Sequence, residues 1–294
     1  MAYVATIGFF DGVHRGHQFV IEQLRQQADN TGLQAAVVTF TEHPQKVLCG
    51  NALPLLTTYA ERIQLLKEQG VDEIFAFNFE VIAAMTAEEF MHILHAQCGV
   101  EMLIMGYDHR FGSDQLSRFE DYQAIAARVG MKIRQLEEKT MEEGVPSSTK
   151  IRRALQSALI EEANAMLGHP YALSGEIVEG RHLGRTIGFP TANIAIAEDK
   201  LCPALGVYAG LLTDAELGFH DEPVVVNVGS NPTVGGNHIT VEMHIPHWEG
   251  NLYGRRMTVR LVRYLRSEKK FPSIEALKQQ IHKDISILYH PIIS

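Results

Sequence analysis

The 294-residue chain has little cysteine and no long apolar segment. Its three cysteines, Cys49, Cys98 and Cys202, form no C-x-x-C pair, which argues against a disulfide scaffold and is typical of a reducing compartment. No apolar run approaches the roughly 18 residues that cross a bilayer, and the first residues show no basic or apolar region of a secretory signal. We therefore expect a cytoplasmic protein without a membrane partner.

Two common phosphate-binding signatures and a basic surplus are also missing. Neither a Gly-Lys dipeptide nor G-x-G-x-x-G occurs, which excludes a Walker-type P-loop and the usual dinucleotide fingerprint. The net charge is −9, and most of the acidic surplus lies in the first half. Because nucleic-acid binding normally needs a clustered basic face, we expect small-molecule substrates and no nucleic-acid partner. The arginines of segment 255–266 alternate with apolar residues, which predicts the solvated face of a strand.

The densest motif runs from Gly8 to His17, between a strand-like and a helix-like segment. Residues 4–7 are apolar and partly β-branched, whereas apolar residues recur with helical spacing over residues 18–30. The motif therefore lies where a strand leads into a helix N-terminus, whose unpaired N–H groups and dipole favour phosphate.

Two glycines and two histidines supply the chemistry of this turn. Gly12 and Gly16 allow a phosphate to approach the backbone, and His14 and His17 lie beside it. His-x-x-His is also a zinc-ligand spacing. No cysteine or third histidine lies at ligand spacing around the pair, so zinc is the weaker alternative.

Up to about residue 137, short apolar runs alternate with amphipathic segments. This alternation predicts an α/β domain with a parallel sheet, helices on both faces and ligands at the carboxyl ends of the strands. Gly106 to Gly112, which contains Asp108, also follows a predicted strand. Besides residues 4–7, the predicted strands are 35–40, 73–77, 101–105 and 131–136.

The pattern changes in the second half. A helical stretch from Ile151 to Leu167 ends at Gly168-His169-Pro170, and β-rich runs broken by Gly, Pro and Asn follow from Tyr171 to Tyr264. They predict a closed or nearly closed antiparallel barrel. The predicted strands are 173–178, 206–212, 224–228, 239–245 and 257–264. A last helix is predicted to start after an N-cap at Ser273, with an inward face formed by Ile274, Leu277 and Ile281.

A second motif, Gly184 to Asn193, combines glycines and a proline with two oxygen-bearing side chains. If the chain is extended there, Thr191 and Asn193 face the same way and could hold Mg²⁺ shared with nucleotide phosphates. Alternatively, they cap the turn through hydrogen bonds to the backbone, the commoner use of such residues.

Further along, Asn227 opens a predicted polar loop over residues 227–233, and Glu242 lies within a strand-like run. A strand carboxylate that faces a cavity can accept a proton from a substrate hydroxyl. If it faces solvent, Glu242 is an ordinary surface residue. The sequence leaves both interpretations open.

Together these motifs resemble those of the bacterial bifunctional riboflavin kinase and FMN adenylyltransferase family, or FAD synthetases, over nearly the whole chain. The first domain is similar to the family at Gly8–His17 (G-x-F-D-G-x-H-x-G-H), Gly106–Gly112 (G-x-D-F-x-F-G) and Ser147–Arg152 (S-S-T-x-I-R). The second is similar at Gly184–Asn193 (G-R-x-x-G-F-P-T-A-N) and Val241–Ile245 (V-E-x-H-I), with a further match at Leu265–Phe271.

The resemblance implies two consecutive reactions. Riboflavin is phosphorylated by ATP in the barrel, and FMN then attacks the α-phosphate of a second ATP to give FAD and pyrophosphate. It also implies the domain limits: an adenylyltransferase over 1–158, a linker over 159–170 and a kinase over 171–294. ATP, riboflavin, FMN and FAD are the implied ligands, with Mg²⁺ as cofactor, in a monomer or weak homo-oligomer.

The resemblance further assigns roles to residues. Glu242 would be the base that takes the ribityl hydroxyl proton, and Thr191 and Asn193 would hold Mg²⁺ and ATP phosphates. His14 and His17 would stabilise charge as pyrophosphate leaves, with Arg152 as a further catalytic residue. The implied ATP contacts of the adenylyltransferase are Gly8, Phe9, Asp11, Gly16, Asp108, Ser148 and Thr149. The implied phosphate contacts of the kinase are Gly184, Arg185, Gly188, Pro190 and Asn227.

The chain departs from the family pattern at two places. His109 replaces an aromatic residue, and Pro246–Asn251 replaces the more acidic L-D-F-D-G-D. The second change predicts an altered flavin affinity or product inhibition. Three alternatives stay open: a flavin-binding sensor without catalysis, an enzyme active in one domain only, and a tRNA-ligating relative of the adenylyltransferase fold. Intact motif residues and the acidic first half weigh against them.

Overall fold

The computed structural model describes residues 1–50, 53–107, 109–136, 146–180, 183–233 and 236–289. They form two compact units, Met1–Ser147 and Ser148–Ser294. The division falls earlier in the chain than the predicted domain limit at residue 158.

The first unit is a five-stranded parallel sheet with the strand order β3-β2-β1-β4-β5. Its strands are β1 (Tyr3–Ile7), β2 (Gln34–Phe40), β3 (Glu73–Phe77), β4 (Val100–Met105) and β5 (Lys132–Gln135). Its helices are α1 (Arg15–Thr31), α2 (Pro44–Cys49), α3 (Tyr59–Glu68), α4 (Phe79–Ala83), α5 (Ala87–Ala96) and α6 (Phe119–Val129). The predicted parallel α/β domain is confirmed.

Both faces of this sheet are covered, as the apolar strands require. Alternate residues of β1 belong to different cores: Val4 packs in the cluster that contains Leu24 of α1, and Ala5 in the cluster that contains Phe90 of α5. The strand order reverses at β1, since β2 and β4 lie on its two sides. The carboxyl ends of β1 and β4 therefore form the switch point at which such sheets bind ligands.

The second unit is a closed antiparallel barrel with the order β10-β7-β6-β11-β8-β9. Its strands are β6 (Tyr171–Val178), β7 (Ala192–Ile196), β8 (Gly206–Asp214), β9 (Phe219–Thr233), β10 (Gly236–His244) and β11 (Arg256–Arg266). The helices are α7 (Ser148–Gln156), α8 (Ile160–Leu167), α9 (Leu183–Thr186) and α10 (Ile274–Leu288). The predicted barrel with a C-terminal helix is confirmed.

Three local predictions were wrong. The single helix over 151–167 is two helices, because Ala158 has a left-handed backbone (φ 61°) that breaks the helical path between α7 and α8. Strand β7 was missed, because its sequence begins inside a motif rich in turn residues. The polar loop over 227–233 is the second half of β9, where pairing with β10 overrides local propensity.

Part of the segment 159–170 that was predicted as a linker is helix α8, which is tied to the barrel. The Asn164 side chain donates to the Leu261 carbonyl and accepts from the Tyr171 backbone N–H, each at 2.8 Å. One amide side chain thereby satisfies the backbone of two strands, β11 and β6. Helix α8 is thus packed on the barrel.

Helix α10 starts where the sequence predicts, and the predicted inward residues Leu277 and Ile281 are half-buried on the face that also carries Asp284 and Leu288. Ser273 caps the helix by accepting from the Ala276 N–H at 3.2 Å, whereas Ile274 is 55% exposed and does not face inward. Asp284 and Leu288 are the buried residues of the helix. On β11, Arg266 is not solvated as predicted, but donates to both carboxylate oxygens of Asp284 at 2.8 to 3.1 Å.

Removal of this ion pair is expected to loosen α10 from the barrel. Asp284→Ala leaves the Arg266 side chain, of which only 14% is exposed, without its carboxylate partner, and should cost about 3 kcal/mol or more of unfolding free energy. The single tryptophan, Trp248, lies in this unit, so its fluorescence during urea unfolding reports the change. Glu216→Ala removes the exposed partner of Arg255 and should cost less than about 1 kcal/mol. Equal effects of both variants would contradict the assignment.

Candidate active sites

The turn between β1 and α1 has an unusual backbone. Phe10, Gly12 and Val13 all have positive φ angles, of 58°, 80° and 40°, around a short 3₁₀ turn over Asp11–Val13. Glycine adopts such angles freely, but a β-branched valine does so only under strain. Strain of this kind persists where surrounding contacts fix the backbone, and it is concentrated at functional sites.

Asp11 supplies the contacts that fix the turn. Its buried carboxylate accepts from the backbone N–H groups of Leu56 and Thr57 at 3.1 and 3.0 Å, and from the Thr57 hydroxyl at 3.1 Å. The N–H of Gly12 donates to the same hydroxyl at 3.0 Å. Both carboxylate oxygens are engaged by the protein, so Asp11 holds the loop in shape; its predicted contact with ATP stays a prediction.

The two histidines lie at the start of α1, which begins at Arg15 rather than at Gln18. His14 is the N-cap, and its Nδ1 accepts from the His17 backbone N–H at 3.4 Å. The two imidazole rings stack with centroids 3.6 Å apart and planes 16° apart. A Cβ atom at Gly16 would lie 3.1 Å from Cε1 of His14 and 3.6 Å from the Pro146 carbonyl oxygen, so glycine gives this stack its room.

The environment of His17 keeps its ring neutral. Burial first, and the neighbouring His14 second, hold the pKa of His17 well below its ordinary value. The Nδ1 atom of His17 is buried and has no hydrogen-bond partner among the residues that the structure describes. A neutral ring with an unpaired nitrogen can interact with a bound anion without first losing another partner.

The adjacent residues of this motif are built into the sheet. The N–H of Gly8 donates to the Val38 carbonyl at 3.0 Å, and the Phe9 carbonyl accepts from the Thr39 hydroxyl at 3.3 Å. The guanidinium carbon of Arg62, a fully buried residue that the sequence analysis missed, lies 3.9 Å from the centroid of the Phe9 ring.

The remaining residues predicted for ATP in the adenylyltransferase lie elsewhere in the chain. Asp108 is outside the described residues. Ser148, Thr149 and Arg152 lie on the first two turns of α7, in the second compact unit. Their roles stay predictions.

In the barrel, Glu242 stands in a row with two asparagines. It pairs directly with Asn193 of β7 on one side and with Asn227 of β9 on the other. Residues directly opposite each other in antiparallel strands project to the same face of the sheet. All three side chains are half-buried, and a carboxylate and two amides share one face of the sheet. The role of Glu242 as a base stays a prediction.

A cavity of about 360 Å³ opens next to this row. Five residues of the second motif line it: Arg185, Gly188, Pro190, Thr191 and Ala192. The lining also includes apolar and aromatic residues: Ile177, Met243, Ile245, Trp248, Leu252 and Tyr253. Glu242, Asn193 and Asn227 are not among the lining residues. The structure thus brings three of the predicted phosphate contacts, Arg185, Gly188 and Pro190, into one cavity, whereas Gly184, Asn227 and the predicted base do not line it.

The motif 184–193 folds back on itself. The Gly184 carbonyl accepts from the N–H groups of Ile187 and Phe189, at 3.2 and 2.8 Å. A Cβ atom at Gly184 would collide with the Phe189 carbonyl oxygen, and one at Gly180 with the Asn193 amide. These glycines are therefore needed for close packing around the segment that carries Thr191 and Asn193.

Comparisons with known proteins agree on both units. The family model described as FAD synthetase matches residues 1–150, and that described as riboflavin kinase matches residues 167–290. The bifunctional riboflavin kinase/FMN adenylyltransferase of Escherichia coli K12 is 37% identical over 96% of this chain and 90% of its own length. The chain belongs to the bifunctional riboflavin kinase/FMN adenylyltransferase family.

Other members are similarly related. The proteins of Pseudomonas fluorescens and Bacillus subtilis, described by the same name, are 34% and 32% identical, each over 96% of this chain and 91% and 90% of their own lengths. A solved structure described as a macrolide-efflux protein from Streptococcus pneumoniae superposes with a TM-score of 0.86 at 29% identity, covering 98% of this chain and 93% of that one. In the described part of this chain no helix is long and apolar enough to span a membrane. The resemblance inferred from the motifs is confirmed, and with it the expected pair of activities.

The segment Pro246–Asn251, which departs from the pattern of the bifunctional riboflavin kinase/FMN adenylyltransferase family, lies at the cavity of the barrel. Trp248, Glu249, Gly250 and Asn251 line the same cavity as Arg185. The Trp248 ring packs edge-on against Phe219, with centroids 5.7 Å apart. We therefore expect the changed residues to act on whatever occupies this cavity.

His244 lies in the Val241–Ile245 motif, where no role was predicted for it, and is buried two residues after Glu242. In the sequence it stands out as a polar residue between the apolar residues Met243 and Ile245. What it contacts, the Pro190 carbonyl, depends on strand pairing and was not predictable.

Proposed function

We propose that this chain makes FAD from riboflavin in two steps at separate sites. The barrel transfers the γ-phosphoryl group of ATP to riboflavin and releases FMN and ADP. The α/β unit then transfers the adenylyl group of a second ATP to FMN and releases pyrophosphate. Two observations support the residue assignments. Asn193, Glu242 and Asn227 form a row on the barrel, and the rings of His14 and His17 stack at the switch point of the parallel sheet.

In the kinase step, Glu242 takes the proton from the ribityl hydroxyl as its oxygen attacks the γ-phosphorus. A half-buried carboxylate flanked by two amides suits this task, because the amides can orient the hydroxyl without competing for its proton. The cavity holds the nucleotide, with Arg185 and the Gly184–Pro190 backbone near the phosphates. Phosphoryl transfer depends mostly on such positioning and charge neutralisation.

The kinase site fits Mg²⁺ as a cofactor held by few protein ligands. Thr191 and Asn193 offer hard oxygen atoms, and Mg²⁺ keeps several waters and substrate phosphates in its shell. When bound, the ion would neutralise charge on the transferring phosphoryl group. In the described part of the chain, no group of three or more His, Cys, Asp or Glu residues is arranged to hold a metal.

Substitution of these oxygen ligands tests the assignment. Thr191→Val keeps the shape of the side chain and removes its oxygen, and Asn193→Leu does the same for the amide. Each is expected to raise the Mg²⁺ concentration that gives half-maximal riboflavin phosphorylation by about tenfold. Adenylyl transfer from ATP to added FMN serves as the internal control and should not change. An unchanged Mg²⁺ requirement of the kinase step would show that these residues cap the turn.

In the adenylyl transfer step, no covalent intermediate on the protein is needed. The FMN phosphate attacks the α-phosphorus, and the negative charge that builds up on the leaving pyrophosphate is met by His14, His17 and the N-terminus of α1. Ser148, Thr149 and Arg152 are proposed to contact the phosphates as well. Asp11 acts indirectly, through the loop that it holds.

The low pKa of His17 gives a second prediction. Without nucleotide, His17 is expected to titrate well below about pH 6.5, because burial and His14 disfavour its charged form. Bound triphosphate favours the imidazolium, so the pKa should rise when ATP is added. NMR titration of the His17 imidazole, assigned with a His17→Gln variant, measures both values. An ordinary pKa in the free protein, or no rise with ATP, would contradict this placement.

The sign of the effect on stability follows. The unfolded chain binds the His17 proton more readily than the folded protein, so stability falls as the pH drops below about 6.5 toward the lowered value. His17→Gln should weaken this decline.

The domain limits are also proposals. We place residues 1–158 with the adenylyltransferase activity and 171–294 with the kinase, and assign α8 to the barrel side because of its Asn164 hydrogen bonds. A cytoplasmic location, a monomer or weak homo-oligomer, and the absence of nucleic-acid and membrane partners are proposed from composition and charge.

A further inference from the structure

His244 makes a contact that links the two motifs of the kinase site. Its Nδ1 lies 2.8 Å from the carbonyl oxygen of Pro190. A carbonyl oxygen only accepts hydrogen bonds, so Nδ1 carries the hydrogen and the histidine donates. The residue is 9% exposed, and burial lowers its pKa, so a neutral ring forms this bond near pH 7.

The bond acts where the strand pairing ends. Strand β10 pairs with β7 at Glu242 opposite Asn193 and at Met243 opposite Ala192, and no pair follows at Thr191. Pro190 has no N–H, so its carbonyl is the only backbone group through which it can be hydrogen-bonded. The His244 side chain therefore continues the attachment of this segment to β10 beyond the last paired residue.

Ring contacts hold the same segment from a second direction. The Phe189 ring lies edge-on to His244, with centroids 5.6 Å apart, and edge-on to His282 of α10, at 5.1 Å. Phe189 is buried and immediately precedes Pro190. The two residues before Thr191 are thus fixed by His244, one through its ring and the other through its Nδ1–H.

We propose that His244 is a positioning residue of the kinase reaction, which holds the Pro190 carbonyl and so sets where Thr191 and Asn193 present their oxygens to Mg²⁺ and the nucleotide phosphates. This inference rests on the proposed metal role of Thr191 and Asn193. Glu242 and His244 then serve one site from the same face of β10. Glu242 reacts with the substrate hydroxyl, and His244 positions the segment that binds Mg²⁺ and the phosphates.

A matched pair of variants isolates the hydrogen bond. His244→Asn places an amide N–H close to the position of Nδ1, whereas His244→Leu has nearly the same shape as asparagine and cannot donate. Both lose the ring contact with Phe189, so the difference between them reports the bond alone. The readouts are kcat, KM for ATP and the Mg²⁺ concentration for half-maximal riboflavin phosphorylation.

The leucine variant is expected to need about tenfold more Mg²⁺ and to lose about tenfold or more in kcat/KM for ATP. The asparagine variant should stay within about threefold of the parent. If His244→Leu does not fold, as judged by Trp248 fluorescence and by adenylyl transfer to added FMN, His244→Gln replaces it. Glutamine places its amide one bond too far from Pro190 and should behave like leucine.

Equal kinetics for the asparagine and leucine variants, or a loss of stability in His244→Leu with an unchanged Mg²⁺ requirement, would overturn the inference. Thr191→Val, measured in parallel, separates the positioning role of His244 from the proposed metal role of Thr191 and Asn193. If Thr191→Val shifts the Mg²⁺ requirement and His244→Leu does not, the positioning role fails alone. If neither variant shifts it, the metal assignment itself is wrong.

Discussion

Glu242→Gln should reduce riboflavin phosphorylation by about a thousandfold, because general base catalysis contributes roughly 10² to 10⁴ to such reactions. Glutamine preserves the shape of the side chain and its place between Asn193 and Asn227, but it cannot accept the ribityl hydroxyl proton. The loss should fall on kcat, with KM for riboflavin and ATP nearly unchanged, since the carboxylate acts as the bond forms.

Glu176→Gln is the matched control for this variant. Glu176 lies on β6 of the same barrel and is exposed, so the substitution makes the same chemical change away from the row. It should leave both activities unchanged. Conversion of added FMN to FAD should be normal in both variants. A Glu242→Gln enzyme that phosphorylates riboflavin at near the parental rate would show that the base lies elsewhere.

The second large effect is expected in the other unit. His17→Asn should slow adenylyl transfer to FMN by about 10² to 10³, the usual cost of removing a group that stabilises developing charge. Riboflavin phosphorylation should continue, so FMN accumulates. His14→Asn is informative beside it, because asparagine can still cap α1 and accept from the His17 N–H. A large effect of His14→Asn therefore reports the lost imidazole rather than a lost cap.

His92→Asn controls for the general effect of replacing a histidine in this unit. His92 is exposed on α5, in the same compact unit as the stacked pair. Its substitution should leave both reactions unchanged. If His17→Asn behaves like His92→Asn, the stacked pair is a structural feature of the helix start and has no role in charge stabilisation.

The adenylyltransferase loop could be located from the sequence because its signals are local. A β-branched strand, two glycines and a helical period place residues 8–17 at a strand-to-helix turn without tertiary information. The electrostatics of the loop were not accessible in this way. Asp11 accepts hydrogen bonds from Leu56 and Thr57, and Arg62 packs against Phe9. These partners are far apart in the sequence, so hydrophobic periodicity does not reveal the contacts. The lowered pKa of His17 likewise depends on burial.

At the kinase site, the residues could be identified from the sequence, but their arrangement could not. Its residues were identified by motif, but their arrangement depends on which strands are neighbours. The strand order β7-β10-β9 brings Asn193, Glu242 and Asn227 into one row, and the sequence had predicted no strand at β7 and a loop at Asn227. Residues typical of turns formed strands there because barrel closure supplies partners for their backbone groups. The burial of Asp284 on α10 was not predictable for a similar reason, since the Arg266 guanidinium that donates to its carboxylate comes from β11.

The central claim is that one chain carries both reactions in a fixed order. The most direct test is to incubate the purified protein with riboflavin, ATP and Mg²⁺ and to separate the flavins by chromatography over time. We expect FMN to appear first and FAD to follow at its expense, with the Glu242→Gln variant stopping at riboflavin and the His17→Asn variant at FMN. Tight flavin binding without FMN or FAD formation, from either riboflavin or added FMN, would contradict the account.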